Sequence, residues 1–191
     1  ALMLAQRFPA STITALELEP DAFLQASSNF QQSPFNDRLE CIESRFQHWS
    51  TFEANSNEFD LIVSNPPFFS GKPQSPNHAR NLARHDDFLS IDEIFEGAKR
   101  VVKGDGVLSL VWPVERESDM LAAAESNGFY ITTRTEILPT ANHTAVRIIA
   151  EFTLSKEVLS SSEIILEIGE GQERKFTTEY LSLMRGFFLK A

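Results

Sequence analysis

The chain has one cysteine, Cys41, in 191 residues. No internal disulfide can form, and a fold made without one suits a reducing, cytoplasmic setting. Cys41 lies in an apolar stretch and reads as packing rather than as a nucleophile. Tryptophan and tyrosine are scarce, two of each, against sixteen phenylalanines, so the aromatic part of the core must be built from Phe. No apolar run approaches the roughly 20 residues needed to span a bilayer, and no signal peptide is visible, so no membrane partner is expected. The four histidines are scattered and no Cys/His cluster exists, so no metal is expected. Glycine-rich phosphate loops and a nucleophile elbow are absent as well. Positive charge is in deficit: 17 Lys and Arg against 27 Asp and Glu leave a net charge of −10. That excludes the broad basic surface of most nucleic-acid binders.

One local absence reverses this balance. Residues 61–85 contain no Asp or Glu, yet hold Lys72, Arg80, Arg84, His78 and His85. A polyanion could approach there while the rest of the surface repels it. On charge alone, a solvated loop explains the window equally well.

With 42% hydrophobic residues, the chain can bury a full core, and residues 1–191 read as one globular domain. Apolar helix periodicity at residues 2–7 stops at Pro9. Strands are expected at residues 12–18, 39–44, 59–64 and 107–112. Pro20 and Asp21 open a helix through about residue 29, with proline at its first turn. Ser90 and Glu93 form a capping box for a helix over residues 91–102, and Lys103-Gly104-Asp105-Gly106 reads as a turn. A helix over residues 115–127 closes at Gly128. Residues 130–136 and 146–154 read as an antiparallel pair of strands around Pro139–His143, residues 164–168 as a short strand, and residues 177–188 as a terminal helix or extended arm. Strands alternating with helices imply an α/β fold with a doubly wound, mostly parallel sheet. The late pair implies an antiparallel addition at one edge.

Asn65-Pro66-Pro67-Phe68 follows directly on the apolar strand Leu61-Ile62-Val63-Ser64. Proline cannot donate to a sheet ladder, so the strand ends there. Asn65 and the neighbouring carbonyls are then held on stiff backbone at the carboxyl edge, where open α/β sheets bind ligands. An amide oxygen and a backbone carbonyl can together accept both hydrogens of a planar amino group, and an aromatic ring can stack on the molecule that carries it. The plainer alternative is a loop in which prolines end a strand and Phe68 is core. Glu17 closes the strand before the Pro20 helix, a place from which an acid can bind a ribose diol. A surface acid at a strand end is also common. Leu18 and Phe46 could offer apolar faces to an adenine.

The motif resembles the Asn-Pro-Pro-Phe/Tyr signature of S-adenosylmethionine-dependent methyltransferases that act on amino nitrogens. The likeness continues through Leu2 to Arg7, Ala15-Leu16-Glu17-Leu18, Gln31-Gln32-Ser33-Pro34, Phe46-Gln47-His48-Trp49, Ala83-Arg84-His85, residues 90–106, Tyr180-Leu181-Ser182-Leu183 and Phe187-Phe188-Leu189. Over nearly the full chain it is similar to the bacterial tRNA1(Val) adenine-N6 methyltransferase family. The resemblance implies a Rossmann-like class I methyltransferase fold, S-adenosylmethionine as methyl donor and tRNA as partner. It gives Asn65, Pro66, Pro67 and Phe68 the target adenine, and Glu17, Leu18, Phe46 and Asn65 the cofactor. Lys72, Arg80 and Arg84 would meet phosphates. Arg45 stands where the family pattern has an acid for the cofactor's adenine. The chain opens in mid-helix, so the family's first strand and glycine-rich loop are expected upstream of Ala1. The motif also serves enzymes that methylate a guanine amine or a protein glutamine amide, and a non-catalytic nucleoside-binding module is a further alternative. A monomer without a stable protein partner is expected.

Overall fold

A computed structural model describes residues 1–66, 89–169 and 171–187, which fall into two compact units, Ala1–Phe52 and Glu53–Ala191. The first unit runs α1 (Leu2–Arg7), β1 (Ile13–Glu17), α2 (Pro20–Gln32), β2 (Leu39–Glu43) and α3 (Phe46–Trp49). β1 and β2 pair in parallel, from Ile13 opposite Leu39 to Glu17 opposite Glu43, with α2 as the crossover. Pro20 occupies the first turn of α2, where its missing N–H costs nothing. Arg38, just before β2, ties that connection to the end of α1 and the turn after it. Its guanidinium donates to the carbonyls of Ala5 at 2.8 Å, Phe8 at 3.1 Å and Ser11 at 2.7 Å. These include carbonyls that α1 leaves unpaired at its C-terminus.

The second unit carries β3 (Phe59–Ser64), α4 (Ile91–Val101), β4 (Val102–Pro113), α5 (Glu117–Asn127), β5 (Tyr130–Leu138), β6 (Arg147–Thr153), β7 (Ser160–Ile165), β8 (Glu167–Ile168), β9 (Lys175–Phe176) and α6 (Thr178–Leu183). Its five-stranded sheet has the order β3-β4-β6-β5-β7, and β8 and β9 form a separate antiparallel pair. β3 pairs with β4 in parallel, β6 is antiparallel to both β4 and β5, and β7 is parallel to β5. Four of the five strands therefore share one direction, and the expected α/β fold with a mostly parallel sheet is present. The expected antiparallel pair, β5 and β6, is present too; β6 enters between β4 and β5.

The capping box is formed: Ser90 Oγ accepts from the Glu93 N–H at 3.2 Å, and Glu93 Oε2 accepts from the Ser90 N–H at 2.7 Å. Beyond it, Ile91, Ile94, Phe95, Ala98 and Val101 recur with helical period and are all buried. The first four of these pack with Leu108, Leu110, Trp112, Met120, Phe129, Ile148 and Phe152 in one core. Gly128 ends α5 in the left-handed conformation.

Three boundaries differ from expectation. Residues 103–106 do not separate helix from strand. β4 starts at Val102 opposite Phe59, and pairing resumes with Leu61 opposite Val107, so these residues bulge out within the strand. Gly106 makes the bulge possible, since a Cβ there would lie 2.7 Å from Val102 Cγ2 and 2.8 Å from the Phe59 carbonyl oxygen. Lys103 Nζ and Asp60 Oδ1 bridge it at 2.8 Å. β7 begins at Ser160, four residues earlier than apolar content suggests, because parallel pairing with β5 recruits the serines; Thr135 Oγ1 and Ser162 Oγ are 2.9 Å apart. The terminal helix spans only Thr178–Leu183.

Arg134 of β5 forks onto Glu117 of α5, Nε to Oε1 at 2.6 Å and Nη2 to Oε2 at 2.9 Å, and its Nη1 reaches Glu136 Oε1 at 2.8 Å. The hydrogen bonds from Arg134 hold the Glu117 carboxyl below the usual carboxylate range, and the two glutamates hold Arg134 above the usual guanidinium value. A carboxyl depressed in the folded state stabilises above its unfolded pKa of about 4.3, and that contribution is lost as pH falls through the folded value. Unfolding free energy is therefore expected to decline on acidification below about pH 4, and less steeply in Glu117→Gln. Denaturant titrations at stepped pH check this. An identical acid slope in the variant would remove the pair from the account.

Candidate active site

Parallel pairing sets the carboxyl ends of β1 and β2 side by side, about 4.8 Å apart. The Ser44 N–H donates to the Glu17 carbonyl at 3.0 Å and fixes that alignment one residue past the ladder. Glu17 is half-buried. Its Oε1 accepts from the N–H of Leu18 at 3.0 Å and of Glu19 at 3.4 Å, so the carboxylate is folded over the start of α2 and held in place by backbone. Leu18 is 38% exposed beside it. Phe46 opens α3 at the same end of the pair, half-buried, with its ring stacked at 28° on that of the buried Trp49, centroids 6.5 Å apart. The structure thus gathers Glu17, Leu18 and Phe46 at one strand edge. Arg45 is the N-cap residue of α3 at that edge.

In the second unit, β3 ends at Ser64, and Asn65 and Pro66 leave the sheet at once. Asn65 is exposed and Pro66 buried, so the stiff proline is packed while the amide faces outward. Pro67, Phe68, Lys72, Arg80 and Arg84 lie outside the described residues. Among the described residues, no group of three or more His, Cys, Asp or Glu side chains is placed to hold a metal ion. No described helix is long and apolar enough to cross a membrane.

Strand directions extend the edge that carries Asn65. β3 and β4 end there, β6 starts there with Arg147 opposite Pro113, and β5 and β7 end there with Leu138 opposite Ile165. A recess opens on this edge between residues 140–143 and 167–174. In the sequence residues 139–143 read only as a hairpin connection, and residues 164–168 as a short strand. The Asn-His-Thr run and the two glycines around residue 170 were the available signal.

The model of the methyltransferase small domain matches residues 1–125. The chain belongs to that family. It is 33% identical over 190 residues to the tRNA1(Val) (adenine(37)-N6)-methyltransferase of Flavobacterium psychrophilum, covering all of this chain and 79% of that protein. Against the enzyme of the same name from Vibrio cholerae the identity is 31%, covering all of this chain and 76% of that one. Among solved structures, the protein Atu636 of Agrobacterium tumefaciens, a predicted O-methyltransferase, superposes with a TM-score of 0.71 at 18% identity, over 94% of this chain and 80% of that one. That likeness is one of fold.

The residues at the β1–β2 edge suit the nucleoside half of S-adenosylmethionine. The backbone-anchored carboxylate has a second oxygen that could accept from a ribose diol, and Leu18 and Phe46 could offer apolar area to a base. Glu17→Ala is expected to weaken S-adenosylhomocysteine binding by about 1.5–3 kcal/mol, the contribution of a hydrogen bond to a charged group. Calorimetry reads it directly, and unchanged affinity would place the ribose elsewhere.

Proposed function

We propose that this protein transfers a methyl group from S-adenosylmethionine to the exocyclic N6 of an adenine in tRNA, at the position named for its relatives, adenine 37 of tRNA1(Val). We take residues 1–191 as a single methyltransferase domain. The observation that carries the reading is the match to enzymes of that name along the whole chain, at 31–34% identity. The exit of β3 through Asn65 and Pro66 supports it, because it offers two acceptors at the sheet edge.

S-adenosylmethionine supplies an electrophilic sulfonium methyl group. The obstacle is on the other side, since the N6 lone pair of adenine is conjugated into the ring. Asn65 Oδ1 and the Pro66 carbonyl accept the two N6 hydrogens, draw the amine out of planarity and localise the lone pair outward. N6 takes the methyl carbon as the bond from that carbon to sulfur breaks and its electron pair returns to sulfur, leaving S-adenosylhomocysteine; N6 then sheds one proton to solvent, so no side chain of shifted pKa is required. Positioning and fixed dipoles lower the barrier. Phe68 stacks on the extruded base, a contact of about 1–3 kcal/mol. Lys72, Arg80 and Arg84 meet phosphates, which makes affinity salt-dependent without conferring sequence choice. An acidic protein of net charge −10 needs such a local basic window to hold RNA at all.

Asn65→Ala tests the mechanism. Loss of one preorganised polar group aimed at the reacting centre is expected to lower kcat by about 10²–10³. Affinity for S-adenosylhomocysteine should stay within a few-fold. Near-normal turnover by this variant on tRNA would overturn the assigned role of Asn65.

A further inference from the structure

The recess beside the β5–β6 connection has a volume of about 500 Å³, within the range of small-ligand sites. Thr140, Asn142 and His143 line it from that connection, and Glu167, Ile168 and Arg174 from β8 and the approach to β9. Gly169, at φ 87°, allows the tight return between these strands; a Cβ there would lie 2.6 Å from the Glu173 carbonyl oxygen.

Its chemistry is mixed. Ile168 is 45% exposed and gives an apolar face. Arg174 Nη2 is held by Glu167 Oε2 at 2.7 Å, which fixes a planar guanidinium in the wall. Thr140 Oγ1 engages His143 Nδ1 at 2.6 Å, so Nε2 is the ring nitrogen left for a ligand. Asn142 is exposed and brings both a donor and an acceptor. A free anion would meet the Glu167 carboxylate. An uncharged nucleobase would not be repelled, and such a set of donors, acceptors, an apolar face and an arginine plane is how proteins hold unstacked bases of single-stranded RNA.

Position strengthens this. β3 and β5 are separated in the sheet by β4 and β6, so the recess stands about 14 Å along the same edge from the line of β3, at about 4.8 Å per strand. That span suits a nucleotide a few positions from the one presented to Asn65. We infer that the recess at Asn142, His143 and Arg174 is a second base-binding pocket, which takes an unstacked nucleotide of the tRNA loop near the target adenine. The inference rests on the tRNA reading proposed above.

Asn142→Ala with His143→Ala tests it in the intact protein. Both side chains are exposed, so the double variant should fold. Filter binding of an anticodon stem-loop RNA should show about a tenfold loss of affinity, the scale of one lost base contact. kcat at saturating RNA should stay within about twofold, and S-adenosylhomocysteine affinity should not change. Single abasic substitutions near the target adenine should include one position at which wild type and variant bind equally well, because the base that the pocket takes is missing. Equal affinity of wild type and variant for the unsubstituted RNA would overturn the inference. So would a penalty that persists at every abasic position. Failure of the wild-type protein to methylate tRNA would instead count against the proposed function, whereas the binding comparison reads the pocket whether or not turnover occurs.

Discussion

The second unit depends on the seating of Phe95. Its ring is fully buried, edge-on to Phe152 of β6 at 5.0 Å and tilted against Phe129, just before β5, at 5.4 Å. One side chain of α4 thus fastens the helix to the two strands that pair antiparallel. Such aromatic pairs contribute about 0.5–1.5 kcal/mol each beyond their buried area. Phe rings bring no polar atom into this core, whereas Trp112, packed in the same core, must donate its Nε1–H to the Arg116 carbonyl at 2.8 Å.

Function follows from the direction this packing imposes. With α4 as the crossover, β3 and β4 must run in parallel, and their carboxyl ends fall on one edge. Proline at the end of β3 stops pairing there and leaves Asn65 exposed on packed backbone. β5 runs in the same direction as β3 and β4 and brings residues 139–146 to the same edge, where β6 starts back, so the candidate chemistry and the recess share it without adjacency in sequence. The first unit repeats the logic on a smaller scale, with Glu17 and Phe46 set together by one parallel pair.

Much of this was legible in the sequence where signals are local. The capping box at Ser90 and Glu93, the stop at Gly128, Pro20 at the head of α2 and the apolar run before Asn65 all act within a few residues. What was not legible is what non-local pairing decides. Lys103-Gly104-Asp105-Gly106 carries ordinary turn chemistry, and only its pairing with β3 makes it a bulge. Ser160 to Ser162 have weak strand preference and are recruited by β5. Arg134 finds Glu117 across 17 residues of chain, and the recess needs the register of β5, β6 and β7 together. At the candidate site, Glu17, Leu18 and Phe46 lie at the carboxyl ends of the paired β1 and β2. Asn65 and Pro66 stand at the expected exit of β3.

A tRNA adenine-N6 methyltransferase leaves its product in tRNA, and nucleoside mass spectrometry of tRNA reads that product most directly. tRNA1(Val) purified from cells that lack the gene should contain unmodified adenosine at position 37, and incubation with the intact protein and S-adenosylmethionine should convert it to N6-methyladenosine. Full N6-methyladenosine in tRNA from the deleted cells, together with no methyl transfer in vitro, would contradict the account.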